Sequence, residues 1–329
     1  MGTRIGVIGA GGWGSCLSLL FLKNNHAVTM WEAFPQYAAF LQQRRENIHF
    51  LPGVKLPEEL KISSSLSEVV TTSELLVIAV PTEFFRTTLN RMKNFYQKDQ
   101  SLLIATKGLE RQTGLTMSEV VRQVLGEIPL AVLSGPCIAR ELAKGFPSAA
   151  VVASRNSKVA SYFQKALSSD ILRLYSCCDV RGVELGGALK NVMAIGAGVI
   201  DGLGLGVNTK AAYLTRCLKE MVEIGVLLGG QEKTFYGLSG LGDLLTTSFS
   251  PYSRNRTFGQ TIVSSNKEEF FRHSRMVVEG YFTVASLYRF AVRRKLPAPI
   301  TRAVYRIVYL NSSPGKELQK LMTRRLKSE

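Results

Sequence analysis

Lys190 and Asn191 stand inside one of the most apolar runs of the 329-residue chain, ELGGALKNVMAIGAG. Lysine is seldom buried unless it is paired or working. Desolvation weakens its preference for the charged form and makes it a proton donor or acceptor near neutrality. The alternative is a lysine that only lays its stem over apolar surface. Gly186 and Gly187, one turn earlier, point to a close neighbour on that face, which favours chemistry. Asp243 sits in the glycine-rich turn of GLGDLLTT, placed to start a helix or to pair with a cation. Thr247, four residues on, shares its face if the segment is helical. PYSRNR offers Ser253 as an N-cap followed by Arg254, Asn255 and Arg256 in a first helical turn. A helix start that carries arginines suits an anion such as phosphate, although an exposed basic helix start reads equally well. Lys107 in ATKGLE and Gly135 in SGPCIARE follow strand-like runs, at the end where open parallel sheets bind ligands. Ordinary strand exits are the alternative for both.

The stretch RIGVIGAGGWGSCLSLLFLKNN, residues 4–25, reads either as an export signal or membrane anchor or as strand, glycine loop and helix. Its glycines separate the two readings. Each interior glycine costs a helix roughly 1 kcal/mol relative to Ala, and five of them fill the first half. Gly9, Gly11 and Gly14 fit GxGxxG directly behind the apolar run Ile5–Ile8. In that pattern one glycine turns the chain, one lets backbone approach a pyrophosphate and one lets helix pack on strand. The helix from Trp13 onward then aims its N–H groups at the phosphates. Glu32 ends a second strand-like run 23 positions beyond Gly9, where an acid can accept hydrogen bonds from a ribose diol. The N-myristoylation pattern fails, because Gly6 stands where Ser or Thr is required. A dinucleotide-phosphate loop is the expectation.

These residues need elements to hold them. Candidate strands are Arg4–Ile8, Ala27–Trp31, Lys61–Ser63, Leu75–Val80, Leu102–Thr106, Leu130–Ser134, Ala149–Ala153 and Leu172–Tyr175. Between them fall helical patterns such as Phe34–Arg45, Thr82–Met92, Thr116–Leu125 and Lys158–Leu167. Short apolar runs alternating with helices predict a mainly parallel sheet covered on both faces. Beyond Asp179 only long helical patterns remain: Val183–Val199, Thr209–Leu228, Glu279–Arg293 and Ile300–Tyr309. Asn208 and Ser253 are the expected N-caps there, with Pro299 near a third helix start. The expected domains are residues 1–180 and 181–329.

Apolar content of 46% and charged content of 20% describe a globular chain of ordinary composition. Net charge is +16, spread as 19 basic against 14 acidic residues up to position 180 and 22 against 11 beyond it. The basic second half suits an anionic small substrate, or a nucleic-acid or anionic membrane surface. Arg293-Arg294-Lys295 and Arg324-Arg325-Lys327 carry no interleaved aromatics, which favours a solvated basic surface. Five cysteines without a CxxC pair and three histidines argue against a structural metal or a disulfide framework. A reducing compartment is the default.

In order along the chain, GAGGWG, ENIHFLPG, TKGLE, SGPCIARE, ELGGALKNVMAIGAG, GLGLGVNTKAAYLTR, GLGDLLTT, SRNRTFG and VVEGY resemble the NAD(P)-dependent glycerol-3-phosphate dehydrogenases. The resemblance runs through almost the whole sequence. It implies an α/β N-terminal Rossmann-type doubly wound sheet followed by an all-α substrate domain. It further implies a cytoplasmic homodimer that interconverts dihydroxyacetone phosphate and sn-glycerol 3-phosphate and supplies glycerophospholipid synthesis. NAD(H) or NADP(H) would be the cofactor, with no metal, no nucleic-acid partner and at most peripheral membrane contact.

Carried over by motif, Lys190 is the general acid/base, Lys107 lies near both cofactor and substrate, and Asp243 pairs with the lysines. Asn191 and Thr247 match positions expected to hydrogen-bond the substrate or a neighbouring lysine. Arg254, with Ser253 and Asn255, matches the phosphate grip, and Arg254 also reaches the cofactor. Gly135 and Cys137 contact substrate through the SGP turn. Gly9, Gly11, Gly12, Trp13, Gly14, Glu32, Phe34, Ala139, Val277 and Glu279 complete the cofactor set. Two departures stand out. Cys137-Ile138 replaces the commoner Thr-Phe or Ser-Phe, and a thiol is a poor substitute for a hydroxyl. The second strand exits as Trp31-Glu32-Ala33-Phe34, without the Arg or His of many NADP-using relatives. A carboxylate there repels a 2′-phosphate, which favours NAD(H), unless Arg44 or Arg45 reaches in. A related dehydrogenase acting on 6-phosphogluconate or a 3-hydroxyacyl compound is disfavoured by SRNR, LKN and GLGD. A catalytically dead sensor would be expected to lose Lys107, Lys190 or Asp243, and all three are present.

Overall fold

Runs of three to six residues, most of them apolar, become the strands of one sheet in the computed structural model, which describes residues 2–265, 267–273 and 277–326. Chain contacts divide the protein into two units, Met1–Glu110 with Leu115–Glu184, and Arg111–Gly114 with Leu185–Glu329. In the first unit the order is β1 (Arg4–Ile8), α1 (Gly12–Lys23), β2 (Ala27–Trp31), α2 (Pro35–Arg44), β3 (Lys61–Ser63), α3 (Leu66–Thr72), β4 (Leu75–Ile78) and α4 (Thr82–Met92). It continues with β5 (Ser101–Ile104), α5 (Met117–Leu125), β6 (Leu130–Ser134), α6 (Ala139–Ala143), β7 (Ser148–Ala153), α7 (Ser157–Leu167) and β8 (Leu172–Cys177).

The sheet runs β3-β2-β1-β4-β5-β6-β7-β8, parallel throughout except for the antiparallel pair β6–β7. Side chains alternate between its faces, as the pleat requires. Leu75, Val77 and Leu103 enter one core with Leu17, Phe21 and Phe163, while Leu76, Ile78, Leu102 and Ile104 enter the other with Phe85, Leu89 and Val120. Both faces are therefore buried, which explains why these strands read as unbroken apolar runs. Two strands are shorter than the sequence pattern suggests. β4 stops at Ile78 because the chain turns into α4 at Pro81, and β5 stops at Ile104, although Ala79 and Ala105 each still donate one hydrogen bond across the sheet.

The second unit is helical: α8 (Val180–Gly202), which starts in the first, α9 (Val207–Leu227), α10 (Glu232–Phe235), a π-helical turn (Leu238–Gly242), α11 (Asp243–Phe249) and α12 (Arg254–Thr261). α13 (Lys267–His273), α14 (Glu279–Arg293), α15 (Pro299–Leu310) and α16 (Pro314–Met322) follow. Among the described residues α8 alone is long and apolar enough to cross a membrane, and its apolar stretch is buried in the protein. Ser253 caps α12 as expected, accepting from the N–H of Arg256, and Pro299 opens α15. Asn208 does not cap α9. Gly206 does so in extended backbone, with its carbonyl taking the Lys210 N–H, and Asn208 falls inside the first turn.

Candidate active site

The first unit builds a glycine-rich loop between β1 and α1. β1 ends at Ile8 and Gly9 turns the chain at φ 116°, a conformation that side chains avoid. A Cβ on Gly14 would lie 1.9 Å from the Gly9 carbonyl oxygen, so only glycine lets α1 pack this close to the strand exit. At Gly11, by contrast, a Cβ would meet no protein atom within 4 Å. Protein packing does not demand glycine there, whereas close approach of a diphosphate does. The first turn of α1 carries no acid, and the indole N–H of Trp13 is buried without a hydrogen-bond partner. An orphaned buried donor is costly unless a ligand takes it. These features fit a bound dinucleotide.

Sequence reading missed the residue that secures this loop. Asn47, fully buried, donates from Nδ2 to the Ala10 carbonyl and to Ser15 Oγ, both at 2.8 Å. Its Oδ1 accepts from the Tyr37 hydroxyl at 2.7 Å and the Phe50 N–H at 3.2 Å. ENIHFLPG had drawn notice only as a family motif. The signal that gives Asn47 its role is the requirement that a buried amide satisfy both its ends.

At the exit of β2, Glu32 is buried and its Oε1 accepts the Phe34 N–H at 3.0 Å. Burial pushes its carboxyl pKa up, opposed by the backbone N–H groups of Phe34 and Ala33. Phe34, the N-cap of α2, is 71% exposed. Arg45 is committed elsewhere, donating to the Leu60 carbonyl at 2.8 Å and pairing with Glu58 at 3.1 Å. Lys107 and Gly135 come together, with Lys107 Nζ donating to the Gly135 carbonyl at 2.8 Å. Cys137 and Ala139 both pack against the core on one face of the sheet.

The second unit assembles a buried polar group around Lys190. Lys190 Nζ on α8 lies 2.6 Å from Thr247 Oγ1 and 3.0 Å from Asp243 Oδ1. Thr247 donates in turn to Asp243 at 3.2 Å. The Lys190 and Asp243 side chains are only 8% and 3% exposed. A buried pair of this kind is costly to break, because either charge alone is left uncompensated. Asp243 opens α11 directly after the π-helical turn, against which α8 packs at Gly186; a Cβ there would sit 2.7 Å from the Ser239 carbonyl oxygen. Gly186 thus admits the turn that delivers Asp243.

Beside this group, Asn255 Nδ2 donates to Asn191 Oδ1 at 2.9 Å, and Asn255 Oδ1 accepts the Gly280 N–H at 2.9 Å. α12 and the start of α14, with Glu279 and the half-buried Val277 before it, are held to α8 through these amides. Arg254 is the first residue of α12. Surrounding protein draws its pKa below the ordinary guanidinium value, the Glu279 carboxylate acting the other way, while the side chain stays open to solvent. Among the described residues no cluster of His, Cys, Asp and Glu suits a metal ion.

Two family descriptions match the sequence: NAD-dependent glycerol-3-phosphate dehydrogenase N-terminus over residues 4–160, and the C-terminus of the same family over residues 179–319. Glycerol-3-phosphate dehydrogenase (NAD(P)+) of Syntrophotalea carbinolica is 42% identical over 330 residues, 99% of each chain. The enzyme of the same name from Citrifermentans bemidjiense is 41% identical over 333 residues, covering 100% of this chain and 99% of that one. The crystal structure of glycerol-3-phosphate dehydrogenase from Coxiella burnetii superposes with a TM-score of 0.94 at 33% identity, covering 98% of this chain and 99% of that one. With a glycine-rich loop in one unit, a buried Lys–Asp–Thr group in the other and family matches along both halves, the chain belongs to the NAD(P)-dependent glycerol-3-phosphate dehydrogenases.

Proposed function

We propose that Lys190 is the proton donor and acceptor in the interconversion of dihydroxyacetone phosphate and sn-glycerol 3-phosphate. The observation that carries this reading is the burial of Lys190 between Thr247 and Asp243. The nicotinamide, when bound, supplies or accepts the hydride at C2. Lys190 Nζ gives its proton to the C2 oxygen in the reductive direction and takes it back in the oxidative one. Asp243 holds the ammonium in its charged, donating form, and Thr247 fixes one of its N–H directions. Lys107 stabilises the negative charge that develops on the same oxygen. Asn191 and Asn255, whose amides hold each other and the Gly187 and Gly280 backbones, hydrogen-bond substrate with their remaining N–H groups. The phosphate is gripped by the Arg254 guanidinium and by the first-turn N–H groups that Ser253 leaves at the start of α12.

Residues 1–180 serve as the dinucleotide domain and 181–329 as the substrate domain. In the first, Gly9, Gly11, Gly12, Trp13 and Gly14 take the diphosphate, with Ala139 beside them and Glu32 and Phe34 at the adenosine. Val277, Glu279 and Arg254 contribute from the second. NAD(H) is the preferred cofactor, since a buried carboxylate at the exit of β2 disfavours a 2′-phosphate and Arg45 is engaged away from it. The protein works as a homodimer in the cytoplasm, feeding glycerophospholipid synthesis, with no nucleic-acid partner and at most peripheral membrane contact. Five cysteines without a CxxC pair suit a reducing compartment.

The test is oxidation of NADH and of NADPH with dihydroxyacetone phosphate, by wild type and Lys190→Ala. Turnover that drops by about 10²–10⁴ in the variant while dinucleotide binding persists supports the assignment. A variant as active as wild type overturns it, and equal kcat/KM with both cofactors removes the role of Glu32.

A further inference from the structure

Arg256 is a cation that the reaction leaves unused. It is the third residue of α12, and its guanidinium turns to α8, where Nε donates to Asp201 Oδ2 at 2.6 Å. The same carboxylate receives Lys210 Nζ, from α9, on both oxygens at 2.9 Å. All three side chains are largely buried, and the Lys210 ammonium also lies 4.7 Å from the centre of the Phe249 ring. One carboxylate therefore ties α8, α9 and α12 together, close to the end of the helix that begins the catalytic run with Lys190.

Two further observations show what this tie controls. The backbones of α8 and α12 touch: a Cβ on Gly198 would lie 1.9 Å from the Arg256 carbonyl oxygen, and one on Gly259 would lie 1.9 Å from that of Ile195. A seam this tight holds the two helices at one distance but leaves their slide and rotation to polar contacts. At the start of α12 the contact is Asn255 to Asn191, and one residue on it is Arg256 to Asp201. Charge points the same way. Arg254 and Arg256 share a first helical turn, where the macrodipole already disfavours cations. Pairing Arg256 with Asp201 neutralises one of them and leaves Arg254 as the cation open to solvent.

We infer that Asp201 is the positioning residue of the phosphate grip, holding Arg256 and Lys210 so that the first turn of α12 presents Arg254 to a phosphate monoester. This rests on the assignment of Arg254 to the substrate phosphate. Loss of the tie frees the helix start to shift, so its effect falls on phosphate recognition and spares hydride transfer.

The experiment is steady-state kinetics on the full-length protein with NADH, comparing wild type, Asp201→Asn, Arg256→Gln and Arg254→Ala. Dihydroxyacetone phosphate is the substrate, inorganic phosphate the competing ligand and unphosphorylated dihydroxyacetone the substrate that bypasses the grip. For Asp201→Asn the KM for dihydroxyacetone phosphate and the inhibition constant for phosphate rise together, on the order of tenfold. The KM for NADH and the kcat/KM for dihydroxyacetone stay within about twofold. Arg256→Gln shifts the same constants in the same direction, and the double variant is no worse than Asp201→Asn, which has already broken the Arg256 contact. Asp201→Glu, which keeps the carboxylate, recovers most of the phosphate preference. Unchanged phosphate constants, or equal losses with both ketones, overturn the inference. Should Asp201→Asn fail to fold, Arg256→Gln, with Asp201 still paired to Lys210, decides the question by the same readout. Arg254→Ala separates the two levels. If it leaves phosphate recognition intact, the grip itself is misassigned. If it abolishes recognition while Asp201→Asn and Arg256→Gln do nothing, only the role of Asp201 fails.

Discussion

Thr247 shows what single side chains contribute to the proton-transfer group. It accepts from Lys190 at 2.6 Å and donates to Asp243 at 3.2 Å, so it orients the ammonium without carrying charge. Thr247→Val keeps the shape of the side chain and removes both hydrogen bonds. The ion pair survives at 3.0 Å, so the protein stays folded. Lys190 loses one fixed direction, and kcat is expected to fall by about 10–10² while the KM for NADH holds, a smaller loss than that of Lys190→Ala. A kcat within twofold of wild type, measured under saturation with both substrates, would show that Asp243 alone aligns the lysine. Lys190, Asp243 and Thr247 were legible in the sequence because a charged residue in an apolar helix needs a partner, and helical spacing put two polar groups on one face. Asn47 was not legible. It is an asparagine in a polar loop, and nothing local shows that 37 residues separate it from the carbonyl it binds.

At the scale of elements, alternating apolar runs and helical patterns announced eight strands because both faces of the sheet are covered. Their ends were harder to place, since β4 and β5 stop where the chain turns towards Pro81 and Lys107 although the apolar pattern continues. The antiparallel pairing of β7 with β6 leaves no periodic trace, because a strand alternates identically in either direction. Asn208 misled for a related reason. A good capping residue and an extended glycine two positions earlier compete, and Gly206 takes the cap. The glycine loop is the element on which an energetic test is most informative. Asn47 fills its four hydrogen-bonding positions between the loop, Tyr37 and Phe50, and Asn47→Ala strands the Ala10 carbonyl and Ser15 Oγ. About 1–3 kcal/mol of stability is at risk for each buried group left unpaired. The surviving folded enzyme is expected to show a KM for NADH raised several-fold, on the order of one kcal/mol of binding, with the KM for dihydroxyacetone phosphate unchanged. Equal shifts in both constants would mean that Asn47 supports the unit in general and not the loop.

Across the whole molecule, charge decides the response to acid. The chain carries +16 at neutral pH, and protonation of its 25 acids leaves the 41 Lys and Arg facing one another. General repulsion therefore grows as pH falls. Against that background, Glu317 contributes a local and separable part. Its side chain is 1% exposed and takes Arg306 at 2.6 Å, Lys320 at 2.8 Å and the Ser312 hydroxyl at 2.7 Å, fastening α16 to α15. Burial alone would raise its pKa, yet hydrogen bonds from Arg306, Lys320 and Ser312 prevail and hold it at about 2. A carboxylate held below its unfolded value of about 4.3 stabilises the fold fully above that pH, and the gain is lost as pH falls towards 2. Lys320 is 60% exposed, so solvent screens part of the gain, which leaves on the order of 1–2 kcal/mol. Glu317→Gln is expected to unfold more readily than wild type at pH 7, in urea followed by circular dichroism. The gap should then close between about pH 4.5 and pH 2.5, because general repulsion acts on both proteins and cancels in their difference. A gap that persists unchanged at pH 2.5 would show that Glu317 acts through packing and not through its charge.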